Sequence, residues 1–301
     1  MIKLITHNDL DGVSCCIIAK YILQEQIDVN YCNYKNINDV VLETLKNHDK
    51  YEQILITDIS VNEEVAKKVD KIKNKVQLLD HHPTALFLNN YDWANVEIEC
   101  DKGKTCGTQM LFDYLQRYCS DISEPTLKYF IELVRRYDTW EWKDKYNDLD
   151  SKNLNDLMYI IGIDDFIIDM LSKIDDDEMW LFDNLSLKLL EIKQKEIDRY
   201  VEKKNESMIV KKILGYNAGI VFAENHISEL GNKLNELHTE LDFIIIINRE
   251  IISYRTTKDN INLSEIAKVF GGGGHPKASG SQIDEKCIDN YIKDIFKIKG
   301  E

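Results

Sequence analysis

Lys3-Leu4-Ile5-Thr6-His7-Asn8-Asp9-Leu10-Asp11-Gly12 joins a short apolar run to one imidazole and two carboxylates within five residues. The form recurs twice downstream. Ile54-Leu55-Ile56-Thr57 runs into Asp58, and Val76-Gln77-Leu78-Leu79 runs into Asp80-His81-His82. Apolar runs of this length bounded by polar clusters read as buried strands. Residues 29–34 make a fourth strand, and amphipathic stretches at 13–25, 37–47 and 62–73 make helices between them. That alternation predicts βα units around a mostly parallel sheet. Open α/β sheets bind ligands beyond the carboxyl ends of their strands, so the three polar clusters are expected at one cleft.

From residue 105 to 212 the pattern turns helical, with candidates at 105–118, 125–136, 154–161 and 181–212. The last is long, charged and weakly apolar, as a connector between domains or a solvated surface helix would be. A second alternation follows, with strands at 218–222, 243–247 and 251–254 and helices at 228–237, 263–269 and 289–298. Before the final helix stands Gly271-Gly272-Gly273-Gly274-His275-Pro276-Lys277-Ala278-Ser279-Gly280. The expected class is α/β: a mostly parallel α/β domain over 1–180, a helical connector over 181–214 and a smaller α/β domain over 215–301.

With 44% hydrophobic residues, 30% charged and only three prolines, the 301-residue chain is globular rather than disordered or collagen-like. The net charge of −15 argues against a broad surface for duplex phosphates, yet leaves room for a short oligonucleotide inside a cleft. No segment approaches the roughly 18 apolar residues of a membrane span, and the N-terminus lacks a signal-peptide pattern. A cytoplasmic protein with no membrane partner is expected. Seven cysteines without a CxxC pair read as reduced thiols.

Singly, each motif has a plain structural use. His7 to Gly12 reads equally as an Asp-rich turn capping a helix, Asp58 as a turn former and Asp138 as a helix terminator. A four-glycine run reads as a flexible loop, although consecutive glycines also let backbone N–H groups approach an anion, with His275, Lys277 and Ser279 as further donors. Arg255 at a strand end suits a terminal phosphate or a base as well as solvent. Company changes the balance: four of the seven histidines fall in these motifs.

In order along the chain, HxDxDG at His7 to Gly12, Asp58, Asp80-His81-His82, Asp138 and the glycine stretch resemble the DHH phosphoesterase family, the last element looking like its DHHA1 substrate-binding domain. The resemblance implies one metal ion on His7, Asp9 and Asp58 and a second on Asp11, Asp58, His81 and Asp138, with Asp58 bridging. A metal-bridged hydroxide would attack phosphorus. Mn²⁺ is the expected ion because histidine ligands are present, with Mg²⁺ or Co²⁺ as alternatives. His82 would contact phosphate or donate a proton, and Asp80 would orient a neighbouring histidine. Arg255, Gly272, Gly273, Gly274, His275, Lys277 and Ser279 would hold substrate, which is expected between the metal pair and the Gly271 to Gly280 stretch.

Within that family, Leu-Val-Arg-Arg-Tyr-Asp-Thr-Trp-Glu-Trp at 133–142, His-Ile-Ser-Glu-Leu-Gly-Asn at 226–232 and Leu-Ser-Glu-Ile-Ala at 263–267 are similar to the NrnB-type nanoRNases. That implies an exoribonuclease cutting short single-stranded oligoribonucleotides or dinucleotides to mononucleotides, without duplex-specific binding. Phosphodiesterase or phosphatase action on cyclic or linear dinucleotides or on 3′-phosphoadenosine 5′-phosphate is the alternative of the same class. An inactive nucleotide-binding regulator is the alternative of another. Tyr137, Trp140 and Trp142 are expected to pack within the fold rather than to stack on a base. Such nanoRNases can carry a further C-terminal segment of about a hundred residues, a domain-sized length. Since this chain stops at Glu301 with every motif present, catalysis is expected without it.

Overall fold

The computed structural model describes residues 1–24, 26–101, 103–117, 124–176, 181–249 and 251–298. Glu25 and Tyr118, the last residues of two expected helices, lie outside that set. The chain divides into two compact units, Met1–Leu190 and Glu191–Glu301.

In the first unit β1 (Ile2–His7), β2 (Ile27–Cys32), β3 (Gln53–Thr57), β4 (Val76–Asp80) and β5 (Ala94–Val96) form a fully parallel sheet in the order β2-β1-β3-β4-β5. Strand alternation feeds two cores. Leu4, Leu55 and Leu79 point into one and Ile5, Ile54, Ile56 and Leu78 into the other. Both faces are therefore covered, which is why these strands are continuously apolar instead of alternating with polar residues.

The helix α1 (Leu10–Leu23) begins three residues before the expected start at Val13. Asp9 caps it, accepting a hydrogen bond from the Gly12 amide at 3.1 Å, and this draws Asp11 into the first turn. Next come α2 (Ile37–Lys46) and α3 (Glu63–Val69), the latter shorter than the expected 62–73 because a 3-10 segment takes over at Asp70–Lys75. A small ribbon of β6 (Glu99–Cys100) and β7 (Gly103–Lys104) precedes α4 (Gly107–Gln116), α5 (Pro125–Asp138), α6 (Leu149–Ile161) and α7 (Ile163–Asp175). The start of α6 at Leu149, five residues ahead of expectation, follows from Asp148 capping the Asp150 amide at 2.9 Å.

The expected helix over 181–212 is corrected at its end: α8 spans Asn184–Glu206, and β8 (Ile209–Ile213) is an edge strand. A two-residue turn at Leu214 and Gly215, both at positive φ, joins β8 to β9 (Tyr216–Phe222) as an antiparallel hairpin. Lysines at 211 and 212 lie on that strand, where charge discourages further edge pairing. Leu190 packs in the core of the first unit, and Ile197 and Val201 in that of the second.

The second unit continues through α9 (Ile227–Leu237), β10 (Phe243–Ile247), β11 (Ile251–Arg255), α10 (Leu263–Val269), β12 (Gly273–His275), β13 (Ala278–Gln282) and α11 (Glu285–Phe296). Its six strands run β12-β13-β11-β10-β9-β8, parallel only between β9 and β10 across the α9 crossover. The glycine stretch, read as a loop, is largely a β-hairpin. Among the described residues no helix is long and apolar enough to cross a membrane.

Candidate metal centre

Neighbouring parallel strands β1, β3 and β4 stop at the same edge, and the residues at their ends share one space. His7 Nδ1 lies 2.7 Å from Asp9 Oδ2 and 3.7 Å from Asp58 Oδ2. His81 Nε2 lies 3.1 Å from Asp58 Oδ1, 3.4 Å from Asp138 Oδ2 and 3.7 Å from Asp11 Oδ2. Asp58 thus turns one carboxylate oxygen toward each imidazole. It follows β3 with φ of 57°, a left-handed conformation that aspartate tolerates, and its amide donates to the Leu79 carbonyl at 2.9 Å.

Asp11 is buried and already occupied. Its Oδ2 accepts from the Gly107 amide at 2.6 Å and its Oδ1 from the Thr108 amide at 2.8 Å, while Thr108 Oγ1 donates to the Asp11 carbonyl at 2.8 Å. The N-terminus of α4, with its unpaired amides and positive end, is thereby docked on this carboxylate. Asp80 plays a comparable part. Its Oδ1 accepts from the His81 amide at 2.8 Å and faces His82 Nδ1 at 2.7 Å, and its Oδ2 accepts from Ser60 Oγ. Burial pushes the Asp80 carboxyl up, but the hydrogen bond and charge of His82, helped by Ser60, hold it below the ordinary carboxylate range.

Asp58 and Asp138 differ from these two. Asp58 Oδ2 and Asp138 Oδ2 are buried without a hydrogen-bond partner. Burial, reinforced by the charges of Asp11 and Asp9, drives both carboxyls well above the ordinary range. Carboxylates packed this closely are relieved either by taking up a proton or by a cation among them. Three groups have ligand atoms within 4.8 Å of one another: His7, Asp9 and Asp58; Asp11, His81 and Asp138; and Asp58, Asp80, His81 and His82. Oxygen donors with a few imidazole nitrogens suit a hard-to-borderline divalent cation, so the residues fit such a group.

Residues 1–135 match the family model described as DHH family, N-terminal domain, and residues 190–300 match the DHHA1 domain. Oligoribonuclease NrnB of Bacillus subtilis (strain 168) is 38% identical over 309 residues, an alignment covering 99% of this chain and 77% of that protein. The chain belongs to the DHH phosphoesterase family. Among solved structures, the pGpG-specific phosphodiesterase PggH from Vibrio cholerae has a TM-score of 0.57 at 16% identity, covering 99% of this chain and 98% of that one. RecJ from Thermus thermophilus in complex with Mn²⁺ has a TM-score of 0.57 at 12% identity, covering 97% of this chain and 50% of that one. At such identities the likeness is one of fold.

The DHH unit therefore gathers His7, Asp9, Asp11, Asp58, His81 and Asp138, with Asp80 and His82 beside them. Four residues of the site escaped the sequence reading: Ser60, which donates to Asp80, and Gly107, Thr108 and Tyr34. Gly107 and Thr108 supply the amides on Asp11, and their only local signal is the small-residue run Thr105-Cys106-Gly107-Thr108 ahead of a helix. Tyr34 places its hydroxyl 3.2 Å from His82 Nε2 and its ring centroid 5.3 Å from that of His7. The expected packing aromatics do stack on one another, Tyr137 on Trp142 at 6.3 Å and Trp140 edge-on to Trp142 at 5.7 Å, with Trp140 partly exposed.

The remaining expected site residues lie in the DHHA1 unit. Arg255 packs its stem over Gly231, donates Nη1 to the Tyr254 carbonyl at 3.0 Å, and has no carboxylate within 4.0 Å among the described residues. In the hairpin, a Cβ on Gly272 would meet the Gly280 carbonyl at 2.0 Å, whereas one on Gly273 would meet nothing within 4 Å. Gly274 and His275 pair with Ser279 and Ala278 across the hairpin, and His275 is exposed. Lys277 Nζ is tied to Asp259 Oδ1 at 2.7 Å, and Ser279 Oγ donates to the His275 carbonyl at 2.7 Å. Ser279 stands opposite Tyr254, Arg255 opposite Ala278, so Ser279 and Arg255 occupy opposite faces of the sheet.

Proposed function

We propose that this chain is a divalent-metal-dependent exoribonuclease that cuts short RNA oligonucleotides to mononucleotides. The near full-length similarity to an oligoribonuclease carries the reading, and the convergence of all six expected ligand residues at one sheet edge supports it. His7, Asp9 and Asp58 would hold one cation and Asp11, Asp58, His81 and Asp138 a second, with Mn²⁺ favoured over Mg²⁺ by the imidazole donors. Bound there, the ions supply Lewis acidity toward the phosphodiester and lower the pKa of an attacking water.

The protein's own groups divide the remaining work. Asp58, with one oxygen toward His7 and the other toward His81, sets the spacing of the two ligand groups. Asp80 fixes the His82 ring through Nδ1, and the opposite edge, whose Nε2 faces the Tyr34 hydroxyl at 3.2 Å, would meet a phosphate oxygen by exchanging that contact. Arg255 offers a guanidinium fork with no carboxylate partner among the described residues, suited to a terminal phosphate. The hairpin supplies the exposed His275 and the open backbone at Gly273, with Gly272, Gly274 and Ser279 shaping it. Lys277 reaches substrate only by releasing Asp259.

A time course with a 5′-labelled RNA pentamer and Mn²⁺ tests the proposal. Stepwise release of mononucleotides is expected. An intact pentamer alongside hydrolysis of a cyclic dinucleotide or of 3′-phosphoadenosine 5′-phosphate would replace it with the other phosphoesterase reading.

A further inference from the structure

A pocket of about 210 Å³ opens beside His82 within the DHH unit. Tyr34, from the turn after β2, and Phe87, from the 3-10 segment Pro83–Asn90, line it together with Asn38, Asn62, Asp80 and His82. Both rings are spared from the core: Tyr34 is 59% and Phe87 39% exposed. Tyr34 is nonetheless held in place, by its hydroxyl on His82 and its ring against His7. A fixed, open aromatic face at the border of a polar site is what stacking on a flat ligand requires.

Size and charge narrow the ligand. Pockets for drug-sized molecules run to roughly 300–1,000 Å³, so this one suits a single ring system and not a dinucleotide. Among the described residues no Lys or Arg lines it, and the Asp80 carboxylate does, so a phosphate is disfavoured inside. Asn38 Oδ1 accepts from the Asn62 amide and Asn62 Oδ1 from the Val65 amide, so each brings its Nδ2 donor to acceptors on the edge of a neutral heterocycle. His82 borders both the pocket and the metal-ligand cluster, which leaves the attached phosphate at the reactive edge.

We infer that this pocket receives one nucleobase of the substrate, stacked against Tyr34 and Phe87. The inference rests on the nucleotide reading above and names the group that makes the enzyme prefer nucleotides to simple phosphate esters. Stacking accepts any base, so the pocket confers nucleotide selectivity without sequence selectivity.

Binding of adenosine 5′-monophosphate and of inorganic phosphate to the full chain, followed by calorimetry with Mn²⁺ present, tests it apart from turnover. Phe87→Ala should weaken the nucleotide by about tenfold, the scale of one lost base–aromatic stack, and leave inorganic phosphate nearly unaffected, and Tyr34→Ala should weaken the nucleotide by at least as much. Tyr34→Phe, which keeps the ring against His7 and loses the bond to His82, should bind the nucleotide more tightly than Tyr34→Ala. Undiminished nucleotide affinity in both alanine variants would overturn the inference, as would a Tyr34→Phe loss equal to that of Tyr34→Ala, which would make Tyr34 an orienter of His82 only. Failure of the exoribonuclease reading shows differently: the unaltered chain would bind the nucleotide in a Phe87-dependent manner yet release no mononucleotide from RNA.

Discussion

Gly107→Ala adds one methyl group to the first turn of a helix and should disable the site. Helix propensity alone favours alanine over glycine by about 1 kcal/mol, so a reading blind to the site expects a small gain. The new Cβ would lie 2.6 Å from Asp58 Cβ and 3.0 Å from both Asp58 Cα and Asp11 Oδ2, where ordinary contact begins at 3.4 Å. About 0.8 Å must therefore be found, and neither neighbour yields easily. Asp58 is fixed by its left-handed backbone and by its amide on the Leu79 carbonyl, Asp11 by two short bonds from the very helix start that must retreat. Retreat takes those amides off Asp11, and holding place displaces Asp58. Overpacking of this kind costs about 1–3 kcal/mol of stability. Misplacing a reacting group by about 1 Å costs on the order of 100-fold in rate. The assay is kcat/KM on the RNA pentamer with Mn²⁺, paired with the metal content of the purified protein and its far-UV circular dichroism. A folded variant with depleted metal and a rate down about 100-fold is expected; a rate within about threefold of the parent and full metal content would refute the reasoning.

The crowding of carboxylates should make the metal-free protein less stable than the metal-loaded one. Chelation with EDTA should lower the melting temperature and abolish hydrolysis, and Mn²⁺ should restore both, by about 2.7 kcal/mol when free metal reaches 100 times its dissociation constant; equal melting with and without metal would contradict this. Asp58→Asn removes one of the repelling charges, so in EDTA it should melt above the parent by about 2 °C or more while losing activity in Mn²⁺; a lower melting point would show that repulsion is not what limits the apo-fold. Arg255→Lys keeps the charge and most of the stem but loses the planar fork, and should raise KM for the pentamer by about tenfold with kcat little changed. A final prediction concerns the end of α5. Against burial, which raises it, hydrogen bonds from Arg135 and Arg136 hold Glu132 at about 2, below its ordinary 4.5. Its contribution is thus complete above pH 4.5 and fades as pH falls toward 2, so the deficit in melting temperature of Glu132→Gln should be largest near neutrality and close in acid.

The parallel sheet and its three strand-end clusters were legible because the information is local: a strand buried on both faces must be apolar throughout, and a polar residue at its end can point only into the cleft. Asp138 was legible only in company. Nothing within α5 separates it from an ordinary helix terminator, and its part depends on His81, a partner 57 positions away that folding alone brings near. Gly107 was invisible for the same reason. Its lack of a side chain matters to Asp58 and Asp11, not to its own helix. The errors in the second unit had another cause. Lysines at 211 and 212 beside a long charged helix look like its continuation, yet strand pairing with β9 overrides propensity at an edge. Glycines at 273 and 274 disfavour a strand intrinsically, and the neighbouring β13 supplies the pairing that makes them one.

How Asp11, Asp58, Asp80 and Asp138 are satisfied divides their labour. Asp11 and Asp80 are anchored by groups of the protein itself, a helix N-terminus in one case and His82, Ser60 and a backbone amide in the other. Donors already meet the oxygens of both. Asp58 and Asp138 each keep an oxygen that no donor among the described residues meets. Had the fold answered those oxygens with amides as well, the cluster would be stable in itself and would bind a cation weakly, since metal would have to displace existing hydrogen bonds. Left unanswered, they should make the metal-free site less stable and raise the affinity for a divalent ion. The anchored pair therefore sets the frame of the cluster, and the other pair leaves in it two oxygens that a proton or a cation can meet.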